Sequence, residues 1–136
     1  GELFSQRKIQ KTYHALCHFN ENKNNITESW ETKNYLKKSD GRPLKMSAVL
    51  SGGDFAHTSF KVLEKYKDTI LIEAKPHTGR THQIRVHLAA LDLPIVNDSL
   101  YGTKSSEELL NLHAVSIEFI HPETKEHLKI SAPNTF

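Results

Sequence analysis

His77-Thr78-Gly79-Arg80-Thr81-His82-Gln83-Ile84-Arg85-Val86-His87 is the stretch at which the hydrophobic period of the chain changes. Before it, Thr69-Ile70-Leu71-Ile72-Glu73-Ala74 is β-rich; after it, Ile84, Leu88 and Leu91 recur at helical spacing. Thr81 is the expected N-cap of that helix and Pro94 its stop. Gly79 is expected to supply a backbone conformation that a side chain would hinder. The same stretch carries two arginines, three histidines and a glutamine around one glycine. Few of these donors are placed to build a core, so they point to a site for an anionic or polar partner.

Outward from this point the pattern is mostly β. Residues 11–19, 45–50, 112–120 and 126–130 read as strands, the last two joined by a turn at His121-Pro122-Glu123-Thr124. Residues 56–66 and 69–74 form an expected hairpin through Lys67-Asp68. Residues 20–25 are a polar loop, and a less regular stretch with Trp30 and Tyr35 leads to the turn Ser39-Asp40-Gly41-Arg42-Pro43. A short helix is expected over residues 105–110. No repeat, low-complexity tract or linker divides the chain. The fold class that follows is α+β, a mixed, mostly antiparallel sheet with one main helix.

A length of 136 residues with 37% hydrophobic content suits one domain with a real though lean core. The net charge of +2 permits nucleic-acid binding without demanding it. Cys17, the single cysteine, excludes an internal disulfide and fits a reducing compartment. With no stretch apolar enough to span a bilayer and no signal-peptide pattern, the expected setting is soluble and cytoplasmic, with no membrane partner. The abrupt start, Gly1-Glu2-Leu3-Phe4, reads either as a cut within a larger protein or as a short free terminus.

Each candidate residue has two readings. His82, Arg85 and Ala89 share a helical stripe beside the apolar one, so Arg85 is half-buried and needs a carboxylate or phosphate. An external anion and an internal partner such as Asp98 are equally good. Arg80, next to the helix start, forms either a phosphate cradle or an ordinary solvated cap. Lys11, Tyr13 and Ala15 face one side of their strand, where Tyr13 either stacks on a flat ring or is simply half-buried. Lys33, Lys37, Lys38, Arg42 and Lys45 form a basic run that touches phosphates or faces solvent. No metal site is expected: His82 and His87 point to different sides of the helix, and His14 and His18 share a strand face without a third ligand. Cys17 reads as a small core residue rather than a nucleophile.

Five ordered blocks then stand out: Lys11-Thr12-Tyr13-His14-Ala15, Thr78 through His87, Pro94-Ile95-Val96-Asn97-Asp98-Ser99-Leu100-Tyr101-Gly102, Leu112-His113-Ala114, and His121-Pro122. Together they closely resemble the RluA-type RNA pseudouridine synthases over residues 4–133. The resemblance implies part of the pseudouridine synthase catalytic fold. It also implies isomerisation of selected uridines in ribosomal or transfer RNA, in which the N-glycosidic bond breaks, the base turns and it rejoins through carbon, with no cofactor or metal. By the resemblance, Tyr13 stacks on the flipped uracil and assists proton removal, and Arg85 pairs with the catalytic aspartate. Lys11, Arg80, His82, Gln83 and Leu112 are implied to contact RNA or shape the pocket. Two departures matter. Asn97 stands where the family usually has glycine, and nothing here matches the family's upstream Arg-Leu-Asp block. Residues 1–136 are therefore expected to be a C-terminal portion of a catalytic domain, lacking the nucleophile. The alternative is a non-catalytic RNA-binding module derived from that fold.

Overall fold

A computed structural model describes residues 9–22, 26–102 and 109–132. Seven strands, β1 (Ile9–His18), β2 (Ser29–Lys38), β3 (Met46–Val49), β4 (Asp54–Lys65), β5 (Thr69–Pro76), β6 (Leu112–Ile120) and β7 (His127–Ser131), surround one described helix, α1 (Gln83–Ala90). They form one sheet in the order β3-β2-β4-β5-β1-β6-β7, and every pairing is antiparallel. The mostly antiparallel α+β architecture is thus present. The expected helix over residues 105–110 lies mainly outside the described residues.

Alternation builds the core. Ala56, Thr58 and Phe60 on β4, Ile70, Ile72 and Ala74 on β5, and Ala15 and Cys17 on β1 are buried and point to one face of the sheet. Registers such as Phe60 opposite Ala74 and Ala15 opposite Ile72 align these residues into a continuous apolar surface. Ile84 and Leu88 of α1, with Leu93 and Ile95 from the segment after it, close over that surface. Each such aliphatic side chain contributes about 1.5–3 kcal/mol by leaving water.

The structure corrects four expectations. Residues 29–38 are not irregular: they form a full ten-residue strand that carries the β3 edge. Its inward positions, Trp30, Thr32, Asn34 and Leu36, mix polar with apolar groups, so the alternation is invisible in hydropathy. Leu91 is the helix C-cap and 38% exposed, while Val86 is buried against Leu36, Met46 and Ala56. Because α1 packs against two patches of the sheet, its buried surface is wider than one stripe. Finally, Thr81 does not cap the helix. The N-cap is His82, in the left-handed region at φ 55°, without a side-chain cap bond. Gly79 has no left-handed φ, and a Cβ there would meet nothing within 4 Å.

Candidate active site

At the open end of β1 and β5, a cleft of about 490 Å³ lies against the start of α1. It gathers Lys11 and Tyr13 from β1, Arg80, His82, Gln83 and Arg85 from the loop and helix, and Leu112 from β6. All seven site residues singled out in the sequence therefore line one cavity. β1 runs out of the core here: Ala15 is fully buried, and Tyr13, two residues earlier on the same face, packs on the core edge. A β-bulge in the β1–β6 pairing falls at Thr12 and Tyr13, next to this rim.

The loop over residues 77–83 is held by β4. His77 donates its backbone N–H to the His57 carbonyl at 2.8 Å, and His57 donates its own to Thr78 Oγ1 at 3.0 Å. Gln83 is the hub. Its Oε1 accepts from the Thr78 hydroxyl at 2.6 Å and the Arg80 amide at 3.1 Å. Its Nε2 donates to the His57 carbonyl at 3.0 Å and to Thr58 Oγ1 at 2.9 Å. All four hydrogen-bonding capacities of this amide are spent inside the protein, so Gln83 shapes the cleft by holding its wall. Arg80 lies exposed at the rim, with Nε donating to the Phe55 carbonyl at 2.8 Å.

Behind the hub runs a buried polar chain. Thr58 bonds His87 Nδ1 at 2.9 Å, and His87 Nε2 bonds Asn34 Oδ1 at 2.7 Å. With the Gln83 amide donating to Thr58, the consistent arrangement has the Thr58 hydroxyl donating to Nδ1 and Nε2–H donating to Asn34. His87 is fully buried, and burial first, then the charge of His57, lowers its pKa to about 4. It is a neutral scaffold residue.

Arg85 has a partner within the chain. Its Nε donates to Asp98 Oδ2 at 3.0 Å and its Nη2 to Asp98 Oδ1 at 2.7 Å, a bidentate pair. Asp98 Oδ1 also accepts the Leu100 and Tyr101 amides, both at 3.1 Å. Burial opposes the charge on Asp98, but the Arg85 hydrogen bond, the two amides and the Arg85 charge outweigh it and hold the carboxyl below its usual range. The hydrogen bond to Asp98 in turn raises the Arg85 pKa against burial. Arg85 is not, then, aimed solely at a carboxylate missing from the chain: of its two sequence readings, the Asp98 pair is present. The guanidinium also lies 5.3 Å from the Tyr101 ring centre. Tyr101 bonds His82 Nδ1 through its hydroxyl at 2.9 Å and accepts the Met46 amide at 2.8 Å. Burial and the nearby Arg85 charge lower the His82 pKa, although Asp98 opposes this. His82 therefore lines the cleft as a neutral imidazole at neutral pH.

Among the described residues, the cleft lining contains no Asp or Glu. It presents an aromatic ring and cationic groups, and the Asp98 carboxylate beside Arg85 is buried and occupied. Cys17 is fully buried outside this lining, and burial pushes its thiol far up, which leaves it a core residue. The basic run Lys33, Lys37, Lys38, Arg42 and Lys45 is exposed along β2 and the β2–β3 hairpin, and Lys45 Nζ lies 5.5 Å from the Tyr101 ring centre. One grouping escaped the sequence altogether. Glu31, His57 and His77 come together from β2, β4 and the end of β5, and no local spacing signals a cluster built across strands.

No helix among the described residues is long and apolar enough to cross a membrane. Ribosomal large subunit pseudouridine synthase C of Buchnera aphidicola subsp. Baizongia pistaciae is 36% identical over 97% of this chain and 44% of its own length. The protein of the same name from Vibrio parahaemolyticus is 43% identical, over 96% of this chain and 42% of its own. The chain thus spans less than half the length of the curated relatives it matches. The solved structure of human RNA pseudouridylate synthase domain containing 1 superposes with a TM-score of 0.83 at 26% identity, covering 99% of this chain and 58% of that one. Residues 1–90, which include the tyrosine strand and the arginine helix, match the RNA pseudouridylate synthase family, and the chain belongs to that family.

Proposed function

We propose that this chain forms the tyrosine-and-arginine half of an RNA uridine isomerase, and that the nucleophilic aspartate comes from sequence outside these 136 residues. One observation carries the reading: Tyr13, Lys11, Arg80 and Arg85 share a cleft that, among the described residues, is lined by no carboxylate. These residues can receive a flipped base and its phosphates but do not themselves supply a nucleophilic carboxylate at the sugar. Reaching a stacked uridine requires extruding it, and an aromatic platform beside cationic groups offsets the unstacking cost.

In this scheme Tyr13 stacks on the extruded uracil and assists loss of the ring proton once the base has turned and rejoined through carbon. Arg85, fixed by Asp98, presents the remainder of its guanidinium to the incoming aspartate. Lys11 and Arg80 neutralise flanking phosphates, Leu112 closes the apolar side, and Gln83 and His82 keep the wall in place. The chemistry as proposed draws on no cofactor. The names of the curated relatives favour a large-subunit ribosomal RNA substrate, with a cytoplasmic setting to match, over transfer RNA.

Mapping pseudouridines in total RNA from cells with and without the gene tests this reading. The expected result is loss of pseudouridine at one or a few large-subunit positions. An unchanged map from cells expressing the intact protein favours instead an RNA-binding module that kept the cleft without the chemistry.

A further inference from the structure

The face of the sheet turned away from α1 carries a second constellation, which shares His77 with the lining of the cleft. Along β4 the buried Ala56, Thr58 and Phe60 point toward the helix, so His57 and Ser59 point the other way. Glu31 lies directly across from Ser59 in the β2–β4 register, and His77 follows the end of β5. The ligand atoms of Glu31, His57 and His77 all lie within 4.8 Å of one another. His57 Nε2 is 2.6 Å from Glu31 Oε1. Ser59 Oγ is 2.7 Å from His77 Nε2 and 3.4 Å from Glu31 Oε1, and the two imidazole centres are 4.2 Å apart.

We propose that Glu31, His57 and His77 bind one divalent transition-metal ion of the zinc class, with the Ser59 hydroxyl or water as the fourth ligand. An ordinary ion pair accounts for Glu31 with one imidazole. It does not account for a second imidazole held beside the first with ring centres 4.2 Å apart. Two imidazole nitrogens and a carboxylate are, however, the ligand types such an ion prefers. Bonds of about 2.0–2.2 Å place tetrahedral ligands about 3.3 Å apart, so modest side-chain rotations convert the present spacings into a coordination shell. The ion would displace the proton shared by His57 and Glu31. Side-chain exposures of 54% for Glu31 and 18% for His57 leave the ion a route in from solvent. Lys33, in register with His57, opposes a dication and keeps the affinity below that of a closed structural site. Since the His57 carbonyl also accepts from Gln83 and His77, a bound ion would tie β2 and β4 to the loop that carries Arg80.

Calorimetric titration of Zn²⁺ into the chelator-treated 136-residue chain at pH 7.5 tests the site. The expected result is one ion per chain, with Glu31→Gln, His57→Ala and His77→Ala each weakening binding at least tenfold. His127→Ala, which removes an imidazole paired with Glu118 on the β6–β7 hairpin, should leave binding unchanged. Affinities within twofold of wild type in all three cluster variants overturn the proposal. Should those variants fail to fold, imidazole nitrogen NMR of the wild-type chain decides. Added Zn²⁺ must shift the His57 and His77 Nε2 resonances together, and a shift confined to other histidines refutes the site.

Discussion

On the helix side of the sheet His87 is fully buried and bonded at both ring nitrogens. On the opposite face, the tilted rings of His57 and His77 lie beside an exposed carboxylate, within reach of solvent. The same residue type is scaffold in one place and ligand-capable in the other, and the difference lies in what each ring's partners are. Thr58 and Asn34 close the hydrogen-bonding capacity of His87, as Leu100 and Tyr101 with Arg85 close that of Asp98. The back-face groups share partners with one another, so their donors remain exchangeable. The cleft forms where these two regimes meet, on the loop pinned to His57 from one side and to Gln83 from the other.

Breaking the closed side should have the largest effect. Arg85→Ala leaves Asp98 buried without its cation and should cost about 3–5 kcal/mol in urea-unfolding stability. Replacing both partners with apolar residues, Arg85→Met with Asp98→Leu, should recover part of that loss. A single-variant cost below about 1 kcal/mol would show that Asp98 keeps its charge satisfied by the two amides alone.

Next in size is His87→Ala, with an expected cost of about 2–3 kcal/mol from the cavity and the orphaned Thr58 and Asn34 groups. His57→Ala should destabilise less, because its side chain removes no closed network. The reverse ranking would invert the comparison between the two faces.

Acid sharpens the same contrast. The folded pKa of His87 is about 4, below the ordinary value near 6.5 of an unfolded histidine, so the unfolded chain binds the proton more readily. The His87 contribution is thus complete above about pH 6.5 and is lost progressively as the pH falls toward 4. Between pH 7 and 5 the loss should be about 1–2 kcal/mol, allowing for solvent screening. Urea midpoints of wild type and His87→Gln across that range isolate it, and equal pH slopes would remove His87 from the account.

The smallest effect is expected at the cleft loop itself. Gly79→Ala meets open space at an ordinary φ, so stability should change by no more than about 0.5 kcal/mol. A larger loss would mean that this glycine is needed for backbone freedom after all.

How far the chain could be read from its residues follows the same division. The strands β1, β4 and β5 are legible because most of their inward positions are apolar, and the seven cleft residues lie in two short blocks and at the start of β6. β2 escaped because Asn34 faces inward to serve His87, which breaks the hydropathy pattern. The helix start was displaced by one residue because His82 takes a left-handed conformation, a choice that propensity does not favour. Arg85 and Asp98 were both visible, but a separation of 13 positions along the chain hides whether they meet. Glu31, His57 and His77 were unreadable, since strand register alone brings them together.

The role proposed for Tyr13 is to meet the substrate base in this cleft and take part in its isomerisation. Pseudouridine formation on large-subunit ribosomal RNA should be timed for the full-length protein and its Tyr13→Phe variant, with RNA retention measured in parallel. The rate is expected to fall about 10²–10⁴-fold with RNA affinity largely kept. A rate within twofold of wild type, or a loss of rate matched by an equal loss of RNA binding, would contradict it.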